Sequence, residues 1–169
     1  MTGVQTCALP ISAARVLGPR WRQISRSAGK VFAGTVLSVE MQLATKGRPI
    51  PSLEVKLRVD HGIAGVQTRQ TITLREWAGA ASTHRAMRGG QHVLLFLYPP
   101  SRLGLTSPVG GALGQIALDA SGKNVARPIP IVAGNLHNSR FPGPARAAVS
   151  PQIVSVSQLE RAIRSARKE

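Results

Sequence analysis

The sequence predicts an all-β domain: an antiparallel barrel or sandwich of about five strands, with a short helix before it and another after it. Three observations carry this. Apolar residues alternate with polar ones through the middle of the chain, whereas spacings of three and four residues are confined to stretches near its two ends. The strand-like stretches follow one another without helices between them, which argues against the strand–helix alternation of a parallel sheet. The length, 169 residues of which 43% are hydrophobic, suits one domain with a proper core and is too short for two comfortable ones.

Taken in order, residues 1–11, MTGVQTCALPI, match the conceptual translation of a common sequencing-library adapter, so an artefact is expected there and is excluded from fold reasoning. The single cysteine, Cys7, falls inside it, which leaves the rest of the chain without a disulfide, a thiolate metal site or a cysteine nucleophile. Residues 12–29 form the N-terminal helical segment, where Trp21, Ile24 and Ala28 share a face and Gly29 ends the pattern. Residues 30–122 form the β core. Its first strand starts at Val31, with Val31, Ala33, Leu37, Val39, Met41 and Leu43 as its apolar set, and Gly34-Thr35 supply the place for a bulge.

After the loop KGRPIPS, Leu53 to Asp60 alternates strictly, Leu53, Val55, Leu57 and Val59 against Glu54, Lys56, Arg58 and Asp60, as a half-exposed antiparallel strand does. A turn is expected from His61-Gly62 to Gly65, then a third strand from Gln70 to Trp77 with Ile72 and Leu74 inward. Val93 to Tyr98 is a continuous apolar run stopped by Pro99-Pro100, which suits a central strand buried on both faces. A fifth short strand spans Gly114 to Asp119 before a tight turn at Gly122. Residues 123–155 read as an extended Pro/Gly-rich connection. Residues 156–169 read as a basic helix with a capping box at Ser157 and Glu160 and an apolar face of Leu159, Ala162, Ile163 and Ala166.

The runs VFAGTVLSVE, LEVKLRVDHGI, TITLREWAG and HVLLFLYPPSRLGLTSPVGG resemble a family of uncharacterised bacterial proteins, mostly exported, whose domain is similar to the netrin-like barrel of tissue inhibitors of metalloproteinases. The resemblance covers roughly Val31 to Asp119 and is most distinctive at Leu103 to Gly111. It implies an OB-like barrel and an extracytoplasmic home. It does not imply metalloproteinase inhibition, which in that family needs an N-terminal cysteine that the trusted part of this chain lacks.

The residues do not assemble a catalytic or metal motif. His61, His84, His92 and His137 never stand at HxH or HExxH spacing, and no metal site and no cofactor is expected. Ser107 stands in TSPVGG rather than GxSxG, without a base or orienting acid in its motif, so a serine hydrolase is the most distant reading. A net charge of +15 fits nucleic acid, anionic lipid or an acidic partner, and equally a generic arginine bias. No apolar run of about eighteen residues, the length a membrane helix needs, is present. The leading expectation is a non-enzymatic exported domain that binds a protein or peptide through the loop Pro99 to Gly111, with Arg102, Thr106 and Ser107 displayed along it. The alternative is a single-stranded nucleic-acid-binding barrel in which Trp77 stacks on bases, weakened by the placement of Phe96 and Tyr98 in the buried run.

Overall fold

The computed structural model describes residues 19–81, 86–126 and 154–168, so the expected artefact and most of the 123–155 connection lie outside the described residues. Five antiparallel strands make one open sheet: β1 (Lys30–Gln42), β2 (Ser52–Ala64), β3 (Thr71–Trp77), β4 (His92–Leu97) and β5 (Gln115–Ala117), ordered β3-β2-β1-β4-β5. Helix α1 (Pro19–Ser27) precedes the sheet and α3 (Val156–Ala166) follows it, with a single helical turn, α2 (Ala78–Ala81), after β3. The mainly β architecture and the two terminal helices are as the sequence predicts. Among the described residues no ladder joins β3 to β5, so the sheet is not a closed barrel.

The sheet is nonetheless strongly curled. Tyr98 N–H donates to Ser107 O at 3.1 Å on the side of β4 away from β1, and the adjacent Thr106 N–H donates to Arg75 O at 2.8 Å on β3. In a flat sheet those two positions would stand about 4.8 Å apart for every intervening strand, far beyond a Cα–Cα step of about 3.8 Å. Only a sheet whose two ends approach each other allows both bonds.

Both faces carry a core. On one, Val31, Ala33, Leu94 and Phe96 pack under α1 and α3 with Ile24, Leu159, Ala162 and Ile163. On the other, Phe32, Val36, Val55, Leu57, Val59, Ile72, Leu74, Val93, Leu95 and Leu97 form a second cluster. β4 therefore alternates between two cores, which is why its sequence is a continuous apolar run.

β1 departs from its predicted alternation. Its first half is buried on both faces, and three register shifts interrupt its pairing with β2. At one of them Leu37 faces no β2 residue and is 47% exposed; Met41 and Leu43 beyond it are exposed as well, and Val36 replaces Leu37 in the core. A shift also falls between Ala33 and Gly34, where a bulge is expected, and a Cβ on Gly34 would stand 2.5 Å from Arg58 O. β2 runs through His61-Gly62 to Ala64 instead of turning there, because both residues still pair with β1.

Two features of the C-terminal helix also differ from expectation. Its cap is Ser155, which accepts from Gln158 N–H at 3.2 Å, while Glu160 bonds Arg164 one turn later at 2.9 Å. The described ends of the 123–155 stretch are held against each other, Val125 N–H to Val154 O at 3.0 Å and Val156 N–H to Lys123 O at 2.8 Å, with Val125 and Val154 both buried.

Candidate binding site

The polypeptide after β4 folds back on itself. Pro108 bridges to Leu97, Val109 N–H donates to Phe96 O at 2.7 Å, and Thr106 Oγ1 donates to Tyr98 O at 2.7 Å. Gly104, Gly110 and Gly111 take φ values of 71°, 69° and 64°, a region that residues with a Cβ avoid, so the glycines specify this path. The loop is thus a built structure laid beside the edge of β3.

Four of the sequence-predicted positions respond differently to that fold. Trp77, at the end of β3, is 53% exposed, so it is not a core residue. Its indole lies over Gly79, where a Cβ would come within 2.5 Å of the ring, and Ala78 N–H donates to Pro51 O at 3.0 Å to fix the chain beneath it. Thr106 and Ser107 are half-buried, Thr106 bonded internally through its N–H and hydroxyl and Ser107 through its carbonyl, yet both line a shallow cleft of about 400 Å³ with Trp77, Tyr98, Pro99, Ser101 and Leu105. Arg102 is exposed at the loop tip and does not line that cleft. Tyr98, expected in the buried run, is 41% exposed: β4 ends at Leu97, and Tyr98 lines the same cleft as Trp77.

A second, smaller hollow of about 90 Å³ meets the first at Leu105. Gly47, Arg48, Pro49 and Ile50 from the β1–β2 loop, Arg75 from β3, and Leu103 from the β4–β5 loop complete its walls. Leu103 is 58% exposed. The two hollows together make a groove with aromatic and aliphatic walls and arginines at one end. Among the described residues no His, Asp or Glu lines either of them, so none of these offers a general base to Ser107.

One polar cluster lies elsewhere and escaped the sequence. Thr35 Oγ1 on β1 donates to Asp60 Oδ2 on β2 at 2.6 Å and lies 3.0 Å from His92 Nδ1 on β4, while Arg58 Nε donates to Asp60 Oδ1 at 3.0 Å. A threonine has one hydroxyl proton, and here Asp60 takes it, so the bond to His92 requires the Nδ1–H form. The hydroxyl proton thus points to the carboxylate and away from the imidazole, opposite to the order a nucleophilic triad needs. The cluster cross-links three strands. At the turn after β5, Asp119 accepts from Ser121 Oγ at 2.7 Å, Asn124 Nδ2 at 2.8 Å and Lys123 N–H at 3.1 Å. Those bonds hold its carboxyl well below the usual carboxylate range.

Among the described residues no group of three or more His, Cys, Asp or Glu side chains is placed to hold a metal ion, and no helix is long and apolar enough to cross a membrane. What the fold defines is a curled, open antiparallel sheet with a groove between its β1–β2 and β4–β5 loops. Comparison of the chain with known protein families, with curated proteins and with solved structures yields no match.

Proposed function

We propose that this is a non-enzymatic binding domain that takes an extended peptide segment of a protein partner in the groove formed by Trp77, Tyr98, Pro99, Leu103 and Leu105. One observation carries the reading: three large apolar side chains, Trp77 at 53%, Tyr98 at 41% and Leu103 at 58% exposure, line two hollows that share Leu105. Such a clustered, polar-rimmed apolar surface marks a site of interaction. The backbone is ready for an extended ligand too. Thr71 and Thr73 stand on the same side of β3 as Arg75, whose carbonyl meets the loop, and no described strand pairs with β3 on that edge.

The same reading takes the curled sheet as an OB-type, netrin-like barrel open at one seam. In support, closing a sheet ordered β3-β2-β1-β4-β5 needs only β3 beside β5, and the Thr106–Arg75 bond joins β3 to the loop that precedes β5. With the resemblance of its strands to exported bacterial proteins, an extracytoplasmic location completes the proposal. Panning a phage-displayed random dodecapeptide library on the full chain tests the binding reading. Enriched peptides should bind the wild type and lose most affinity for Trp77→Ala and Tyr98→Ala. Enrichment indifferent to both substitutions would refute it.

A second reading has a specific observation behind it. Two exposed aromatics on one cleft of a chain with net charge +15 also describe a platform for single-stranded nucleic acid. Affinity for a mixed-sequence oligonucleotide across a salt series separates the two. Generic basic attraction falls steeply toward physiological salt, because counterion release drives it. Stacking would leave tight binding there and a loss of about 1–3 kcal/mol on Trp77→Ala.

A further inference from the structure

Resting on the peptide reading, we infer that the small hollow at the end of the groove is a carboxylate pocket, in which Arg75 and Arg48 receive an acidic side chain or the terminal carboxylate of the bound peptide. Arg75 lies in the sheet between Leu74 and the buried Glu76, and its Nε is buried with no hydrogen-bond partner. A buried donor left unpaired is costly, and more so on a charged group, so a ligand that supplies an acceptor there is favoured. The guanidinium reaches under the β4–β5 loop: its Nη1 lies 3.8 Å from where a Cβ on Gly104 would stand. Glu54 is its cross-strand neighbour on β2, yet no ion pair joins the two, and Arg48, which lines the same hollow, has no acidic partner either among the described residues.

Two guanidiniums without counter-ions on one small hollow make an anion site, and guanidinium geometry matches planar carboxylates. The walls decide which anion. Pro49, Ile50, Leu103 and Leu105 enclose about 90 Å³, which suits a carboxylate on an aliphatic stem; a phosphate dianion would face those apolar side chains with its other oxygens undonated. The pocket meets the aromatic cleft at Leu105, so a peptide anchored by its carboxylate would lay its next residues toward Tyr98 and Trp77.

The test is an NMR titration of the full chain that follows arginine Nε–Hε resonances. The probes are 4-methylpentanoate, its amide as the uncharged control, and inorganic phosphate as the rival anion. The Arg75 signal should shift saturably with the carboxylate, stay unmoved by the amide, and respond more weakly to phosphate. Arg48→Gln should weaken binding about tenfold, the loss expected for one charge-assisted contact. Arg75→Gln should abolish it, and Arg161→Gln on the exposed face of α3 should leave it unchanged. Because Arg48 is on the surface, its variant keeps the test decisive even if Arg75→Gln fails to fold. No saturable shift, equal response to the amide, or an Arg48→Gln variant that binds like the wild type would overturn the pocket. Tighter binding of phosphate would overturn it as well and assign the site to a phosphodiester backbone. A carboxylate that shifts Arg75 while no selected peptide depends on Trp77 leaves the pocket and refutes the peptide reading. The converse leaves the peptide reading and refutes the pocket.

Discussion

Arg167 offers the sharpest test of how the two helices are fastened to each other. The basic last turn of α3 has a sufficient explanation in the helix dipole alone, which is worth about 0.3–1 kcal/mol per charge at the surface. The geometry shows more. Arg167 Nη1 donates to Ser25 O and, at 2.7 Å, to Ala28 O, while Arg26 Nε donates to Ala166 O at 2.9 Å. Each helix ends with carbonyls that its own backbone leaves unbonded, and the other helix supplies the guanidinium. Hydrogen bonds to a charged group contribute about 1.5–3 kcal/mol when buried. One nitrogen serves both carbonyls here and the residue is exposed overall, so the loss on Arg167→Ala should be about 1.5–2.5 kcal/mol, a fall in Tm of about 3–10 °C for a chain of this size. Urea denaturation of the full chain, with Arg161→Ala on the same helix as reference, measures it. Arg167→Lys keeps the charge without the guanidinium fork, so it should lose roughly half as much, whereas a dipole effect would leave it silent. If Arg167→Ala proved no worse than Arg161→Ala, the cross-capping argument would be wrong.

Leu95→Ala and Leu97→Ala, at sites 0% and 1% exposed, should each cost about 2–5 kcal/mol by urea denaturation, and two near-neutral results would show that β4 is not central. Gly34→Ala should destabilise the sheet by about 1–3 kcal/mol, since its Cβ would press on Arg58 O; an unchanged denaturation midpoint would contradict that close approach. Asp119 has its folded pKa depressed, so its stabilisation is present above the unfolded value and disappears as pH falls through the folded one. Asp119→Asn should therefore be less stable than the wild type at neutral pH, and the gap should shrink in acid. A gap that stayed constant from neutral pH to well below the usual carboxylate range would exclude the carboxylate as its source.

The parts of the fold that were legible are those in which one physical demand governs a stretch. β2 has one buried face over Leu53 to Val59 and reads as strict alternation; β4 has two and reads as an unbroken apolar run. β1 departs from simple alternation because it answers to both demands in turn, two-faced up to Val36 and shifted in phase at Leu37, and no period fits across a bulge. The cap of α3 lies two residues before the expected one for another reason. Ser155 with Gln158 and Ser157 with Glu160 are equivalent by local spacing, and the choice is made by a distant contact: Asn124 bridges Ser155 and holds it extended, at φ −79° and ψ 153°, so the helix begins after it.

The candidate site divides along the same line. The glycines and prolines after β4 announce a specified loop, which brought Thr106 and Ser107 into view, and Trp77 stood out as an aromatic at a strand end. Tyr98 did not, because a run of apolar residues does not reveal where pairing with β1 stops; it stops one residue earlier, where Lys30 meets Leu97. Nor could any local pattern single out Arg48 and Arg75 among the 22 basic residues of this chain. Their juxtaposition is purely tertiary: the curl of the sheet sets the β1–β2 loop, the end of β3 and the β4–β5 loop around one hollow, with two guanidiniums there that no acid among the described residues pairs. In the proposed carboxylate pocket the specific feature is therefore the position of an unpaired buried donor and not the net charge, since the desolvation of that donor is offset when a ligand supplies an acceptor.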